Sequence, residues 1–192
     1  MSSTELIKQL RTETGVSIMQ CKKALEESGD DIEKAKVALR KISSQIAAKK
    51  ADRELGSGVV QAYIHAGNSV AGIVVLACET DFVAKNEEFV KIAYEIAMHV
   101  AATAPEFLSR GEVTEESTSA AHAVFTEEAS DKPEEMREKI VEGKINSFLK
   151  EKVLLDQPFV KNPDITVQGL IDEAIQKFGE RIEISEISRF TV

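Results

Sequence analysis

The chain has no tryptophan, two tyrosines and only 5% aromatic residues among its 192 positions. A β-sandwich core, which relies on large aromatic and β-branched side chains, is disfavoured; 30% charged residues point instead to a soluble, helix-rich protein. No stretch reaches the roughly 18 apolar residues of a membrane span. The start, Met1 to Lys8, has neither a basic leader nor an apolar run. A cytosolic location without membrane contact is the expectation. The two cysteines, Cys21 and Cys78, sit among apolar neighbours. Buried reduced thiols are the simpler reading, and a disulfide is the alternative.

Catalytic signatures are missing too. His65, His99 and His122 lie far apart and show no short metal-site spacing. There is no Walker A run, no GxGxxG and no GxSxG, so nucleotide binding and the common hydrolase arrangements lack support. No metal, no cofactor and no enzymatic chemistry are expected. An enzyme reading would have to recruit Cys21, Cys78 and the histidines.

What is present begins with charge. The chain carries 33 acidic and 24 basic residues, a net of −9, which opposes direct binding to nucleic acid because neutralising phosphates drives that affinity. The charge is uneven: residues 1–54 hold 11 basic and 9 acidic side chains, so the acidic excess lies entirely in the remainder. With 43% hydrophobic content the length supports one domain plus a small appendage.

Apolar spacing predicts three short helices, Thr4 to Glu13, Ser17 to Ser28, and Asp30 or Asp31 to Lys41, punctuated by Gly15 and Gly29. Residues 1–42 therefore read as a three-helix domain. Residues 43–56 contain good helix formers without a broad apolar face and read as a helical linker. Residues 57–192 read as an α+β core. In it Val59 to His65 and Val70 to Cys78 form a hairpin through Ala66, Gly67, Asn68 and Ser69. A helical stripe runs from Asn86 to about Thr103, and further helices are expected from Thr114 to about Ser130 and from Pro133 to about Lys152. Between Glu112 and Glu138 nine residues are acidic and two basic, so that outer face should be solvated. Leu154 to Asn162 reads as a loop, Val167 to Phe178 as a helix and Arg181 to Val192 as a closing strand. The fold class is α+β: an N-terminal three-helix domain, then a small antiparallel sheet covered by helices.

Four stretches, in order along the chain, resemble the elongation factor Ts family. They are Thr14 to Leu25 (TGVSIMQCKKAL), Cys78 to Glu87 (CETDFVAKNE), Ile96 to Ala102 (IAMHVAA) and Gln157 to Val160 (QPFV). The second is the specific one. The chain departs from the family at Val16, Ser17 and Gln20. Only one sheet unit is legible, where many members carry a duplicated sheet subdomain and a coiled coil.

The resemblance implies a guanine nucleotide exchange factor for elongation factor Tu, binding its GDP-bound and nucleotide-free forms. It implies that the N-terminal domain is similar to ubiquitin-associated modules, with Val16, Ile18 and Met19 as exposed apolar contacts; the plainer reading packs Ile18 and Met19 inside the bundle. It implies that Thr80, Asp81, Phe82 and Val83 push into the GTPase and dislodge its Mg²⁺. The plainer reading has Asp81 capping a helical turn and Phe82 filling the core. His99 is implied as a partner-facing residue on a second surface, and short members are implied to be homodimers in which a second subunit supplies the missing half. A ubiquitin-binding adaptor is the rival, suggested by the three-helix unit alone, and it leaves residues 78–87 unexplained.

Overall fold

The computed structural model describes residues 3–192; Met1 and Ser2, the start of the expected N-terminal domain, lie outside the described residues. Three helices come first: α1 (Ser3–Thr14), α2 (Ile18–Glu27) and α3 (Ile32–Lys50). Ser17 caps α2 by accepting from the Gln20 amide, and Asp31 caps α3 by accepting from Lys34, which satisfies amides a helix start leaves unpaired. Gly15 (φ +68°) and Gly29 (φ +63°) occupy left-handed backbone at the two turns, where a Cβ would be strained. Leu10, Val16, Cys21, Ala24, Leu25, Ala35 and Leu39 close a small core of their own.

The third helix does not end at Lys41. It continues unbroken to Lys50, so residues 43–50 of the expected linker are its second half, and residues 51–56 lead on to the first strand. No glycine or proline interrupts residues 32–50, and tertiary contacts complete what the weak apolar face leaves undone. Along α8 (Val167–Phe178) this half sets Ser43 against Gln176, and Ser44 donates to Asp172 at 2.6 Å. Arg40 pairs with Glu173 at 3.6 Å and Lys50 donates to the Gly179 carbonyl at 2.6 Å.

The core is an antiparallel sheet of order β1-β2-β5, built from β1 (Ser57–Ile64), β2 (Val70–Cys78) and β5 (Ile182–Thr191). The hairpin turns through residues 66–69, with Gly67 and Asn68 at positive φ, a conformation these two types accept. The inner face presents Val74, Leu76 and Cys78 to α5 (Glu87–Thr103), which buries Phe89, Ala93, Ile96, Ala97 and Val100. Each large aliphatic or aromatic side chain so buried contributes roughly 1.5–3 kcal/mol. Gly72 lets α5 approach: a Cβ there would stand 2.2 Å from the Ala97 carbonyl oxygen. A register shift between Val75 and Leu76 leaves Ser185 as the extra residue of β5. The strand alternation expected from Arg181 onward is thereby broken, and Ile182, Ile184 and Ile187 all face inward.

In chain order between β2 and β5 come α6 (Glu115–Glu128) and α7 (Glu134–Lys152), an antiparallel pair meeting through Phe125 and Phe148. No α6 residue is buried, in keeping with the acidic run. The stretch expected as a loop instead holds a 3-10 turn, Leu154–Asp156, and then a two-stranded ribbon of β3 (Pro158–Phe159) with β4 (Asn162–Thr166). The ribbon is too short to show a sequence period.

Candidate functional site

Thr80 leaves β2 and caps α4 (Asp81–Ala84), a single helical turn, by accepting from the Val83 amide at 3.4 Å. Thr80, not Asp81, is the cap. On this turn Val83 and Ala84 point into the core at 4% and 7% exposure, which anchors it. Phe82 points the other way and is 81% exposed. The reading in which Phe82 fills the core is therefore excluded; Val83 takes that place. Asp81 pairs with Lys85 at 2.6 Å, and that bond holds its carboxyl below the usual range.

The turn is held from behind. Glu180 accepts the Thr80 amide at 3.0 Å and the Thr80 hydroxyl at 2.6 Å. Glu79 accepts the Arg181 amide at 2.5 Å and Arg53 at 3.1 Å. These contacts, the amide first, lower the Glu79 pKa. The Arg181 guanidinium donates to the Arg53 carbonyl at 2.5 Å. Cys78 donates its thiol to the Thr80 carbonyl at 3.2 Å, and burial pushes its pKa up, so the thiol stays protonated. Arg53, Glu79, Glu180 and Arg181 were not foreseen. They lie up to 128 residues apart, and no local spacing announces such a meeting.

At the opening of α2 Ile18 is 53% exposed and Met19 83%. Both stand outside the N-terminal core, against the reading that packs them within it. Val16 does not join them. It is 5% exposed and belongs to the core of the three helices, because the turn at Gly15 folds it inward. Its expected exposure is corrected.

His99 is corrected in the same respect. It lies on the buried face of α5 at zero exposure. Its Nδ1 accepts from the Val160 amide at 3.1 Å, so Nε2 carries the proton and donates to Gln157 Oε1 at 2.8 Å. Burial lowers its pKa and favours this neutral form. The ring tilts against Phe159, centroids 5.8 Å apart. His99 thus fastens the Gln157–Val160 stretch to α5. The histidine spacing gave no hint of this, since the partners lie about sixty residues on.

The other face of the sheet carries Val60, Ala62 and Ile64 from β1, Ala71, Ile73 and Val75 from β2, and Phe190 from β5. Val60, Ile64 and Phe190 are 65%, 62% and 58% exposed. Among the described residues no group of three or more His, Cys, Asp or Glu could hold a metal ion, and both cysteines are free. No described helix is long and apolar enough to cross a membrane.

The geometry is that of a scaffold presenting apolar side chains on rigid backbone: an aromatic on a braced turn and a Met–Ile tip on a capped helix. A family model described as Elongation factor TS matches residues 3–192. Proteins named Elongation factor Ts align along the whole chain. The one from Thermosipho melanesiensis is 45% identical over 100% of this chain and 99% of its own. Those from Carboxydothermus hydrogenoformans and Herpetosiphon aurantiacus are 46% and 43% identical over 99% of this chain, covering 88% and 97% of their own lengths. The chain belongs to the elongation factor Ts family.

Proposed function

We propose that this protein is a guanine nucleotide exchange factor for elongation factor Tu, acting in the cytoplasm and without covalent chemistry. The observation that carries the reading is Phe82, 81% exposed on a turn whose other side is buried and hydrogen-bonded. Thr80 to Val83 form the intruding element: Val83 and Thr80 anchor it, and Phe82 with Asp81 enters the partner beside its nucleotide and dislodges Mg²⁺. The ion and the surrounding backbone amides hold the phosphates together, so displacing either weakens both.

Burying one Phe yields about 1.5–3 kcal/mol. Weakening nucleotide affinity a thousandfold takes roughly 4 kcal/mol. A second contact is therefore required, and Ile18 and Met19 on the three-helix unit, the part similar to ubiquitin-associated modules, supply it on the partner's nucleotide domain. Coupling is reciprocal, so incoming nucleotide expels the exchange factor as strongly as it is itself expelled.

The exposed sheet face is the dimer surface in this reading. Its apolar residues alternate outward along β1 and β2, with Phe190 added from β5, and a second copy packed sheet to sheet covers them symmetrically. His99 contributes indirectly, by fixing Val160, which is 47% exposed.

The test is release of fluorescent GDP from elongation factor Tu with the wild-type chain and Phe82→Ala at matched concentrations. Rapid release that falls at least about tenfold in the variant, a loss of about 1.4 kcal/mol, is the expected result. No acceleration by the wild-type chain would return the three-helix unit to an adaptor role.

A further inference from the structure

We infer that Glu180 is a positioning residue for the wedge, setting the direction of Phe82 through Thr80; the inference rests on the exchange reading and deepens it. Glu180 follows Gly179, whose left-handed backbone (φ +73°) ends α8 and turns the chain toward the sheet. That turn aims the Glu180 carboxylate at the start of α4, one hundred residues earlier in sequence.

The hydrogen-bond directions fix what Glu180 does. A hydroxyl has one proton to donate and lone pairs to accept with. Thr80 spends its proton on Glu180 Oε1 at 2.6 Å, so its lone pairs are left for the Val83 amide at 3.4 Å. Without the carboxylate the hydroxyl is free to rotate and the cap on α4 loosens. Glu180 Oε2 holds the Thr80 amide as well, at 3.0 Å, and hydrogen bonds to an ionised carboxylate are roughly twice as strong as neutral ones. The Thr80 carbonyl is held by the Cys78 thiol. The amide, hydroxyl and carbonyl of Thr80 thus each have a fixed partner, and Phe82 is two residues away.

A four-residue helix has no stability of its own, since helix nucleation is costly. The direction of Phe82 is set by what holds the ends of α4. At its far end Val83 and Ala84 are packed in the core; at its near end Glu180 is the only charged group on Thr80 in the observed bonds. The Glu79–Arg53–Arg181 contacts lie one residue upstream and join the end of the α3 segment to the same point.

The test compares wild type, Glu180→Ala, Glu180→Gln, Phe82→Ala and the double variant Glu180→Ala with Phe82→Ala, each as the full chain. Two readouts are taken: fluorescent GDP release from elongation factor Tu over a range of exchange-factor concentrations, and amide hydrogen exchange of the free protein. In Glu180→Ala the maximal release rate falls between about tenfold and a hundredfold, the scale of a misplacement of about 1 Å. The half-saturating concentration stays within about twofold, because Ile18 and Met19 are untouched. The double variant is no slower than Phe82→Ala, since Glu180 acts through Phe82. Glu180→Gln, which keeps an acceptor for the Thr80 hydroxyl, recovers part of the rate. Exchange at the Thr80 and Val83 amides accelerates while Phe89 and Ile96 stay protected.

Independent, multiplying losses from Glu180→Ala and Phe82→Ala would overturn the inference. So would unchanged exchange at Val83. If the wild-type chain releases no GDP, the exchange reading fails on that arm alone, and the Val83 amide still decides whether Glu180 holds the turn.

Discussion

Replacing His99 with Ala tests the buried joint between α5 and the β3–β4 ribbon. The wild-type ring is fully buried, accepts from Val160 and donates to Gln157. In the variant the Val160 amide loses its acceptor, a cost of at most about 1–3 kcal/mol because this residue is 47% exposed and water can reach it. Gln157 Oε1 keeps the Thr103 hydroxyl at 2.9 Å, so it is not orphaned. Adding the cavity left by the ring brings the total to about 3–5 kcal/mol, a large part of the roughly 5–15 kcal/mol that holds a folded protein. The pH dependence has a definite sign. Burial holds the folded His99 pKa below 6.5, and the Gln157 contact offsets this only in part. The unfolded chain takes up a proton near pH 6.5 that the folded chain refuses. Stability is therefore fully present above that pH and is lost as pH falls toward the folded pKa, by at most about 1.4 kcal/mol per pH unit. Urea unfolding of both chains at about pH 7.5, 6.5 and 5.5 measures the effect. Wild type should weaken over this window by more than His99→Ala does. Parallel pH profiles, or a variant within about 1 kcal/mol of wild type at neutral pH, would refute the reasoning.

The remaining expectations separate surface from core. Met19→Ala should leave the unfolding midpoint almost unchanged yet weaken binding to elongation factor Tu by about 1–2 kcal/mol, measured by calorimetric titration. Val16→Ala should do the reverse, costing about 1–3 kcal/mol of stability; a variant that binds poorly at full stability would restore Val16 as a contact. Gly72→Ala places a Cβ 2.2 Å from the Ala97 carbonyl oxygen and 2.9 Å from the Ala101 amide nitrogen, so α5 must lift from the sheet, and a loss of about 3 kcal/mol or more is expected in thermal unfolding. Ile64→Asp puts a charge on the exposed sheet face and should dissociate the proposed dimer. Sedimentation equilibrium of a wild-type chain that stays monomeric at all concentrations would remove that role from the sheet.

Elements whose signal is local were legible. The hairpin strand Val70–Cys78 and the helix Val167–Phe178 fall where period and punctuation place them. Asn86 and Thr114 cap the helices they were read to start, because a cap needs only the next three residues. Long-range effects were not legible. The continuation of α3 past Lys41 depends on α8, more than a hundred residues away. The bulge at Ser185 is set by pairing with β2, and a two-residue strand such as Pro158–Phe159 carries no period. In the site, the turn itself could be located from its motif, yet which of Phe82 and Val83 faces solvent depends on where the core lies. Val16 and Met19 are three residues apart with similar hydropathy; the turn opened by Gly15 between two helices sends Val16 inward, while α2 carries Met19 outward. His99 is marked in the sequence only by the family resemblance, as a partner-facing residue; its buried bonds to Gln157 and Val160 give it a structural place instead.

In the proposed exchange role, the energetics of the wedge turn on rigidity more than on area. Phe82 brings about 1.5–3 kcal/mol of burial to a task that needs roughly 4, so little can be lost to ordering the segment that carries it. Fixing the backbone of one residue costs about 1–2 kcal/mol. A flexible segment spanning Thr80 to Val83 would thus forfeit about 4–8 kcal/mol on binding, more than its aromatic returns. In this fold the ordering is done during folding: Val83 is buried, Thr80 is bonded at its amide, hydroxyl and carbonyl, and α5 begins at Glu87. The nearly full burial of Val83 and the nearly full exposure of Phe82 are two sides of one device. In the proposed exchange role, contact energy at Phe82 is available for the partner because the cost of holding the turn is met within the fold.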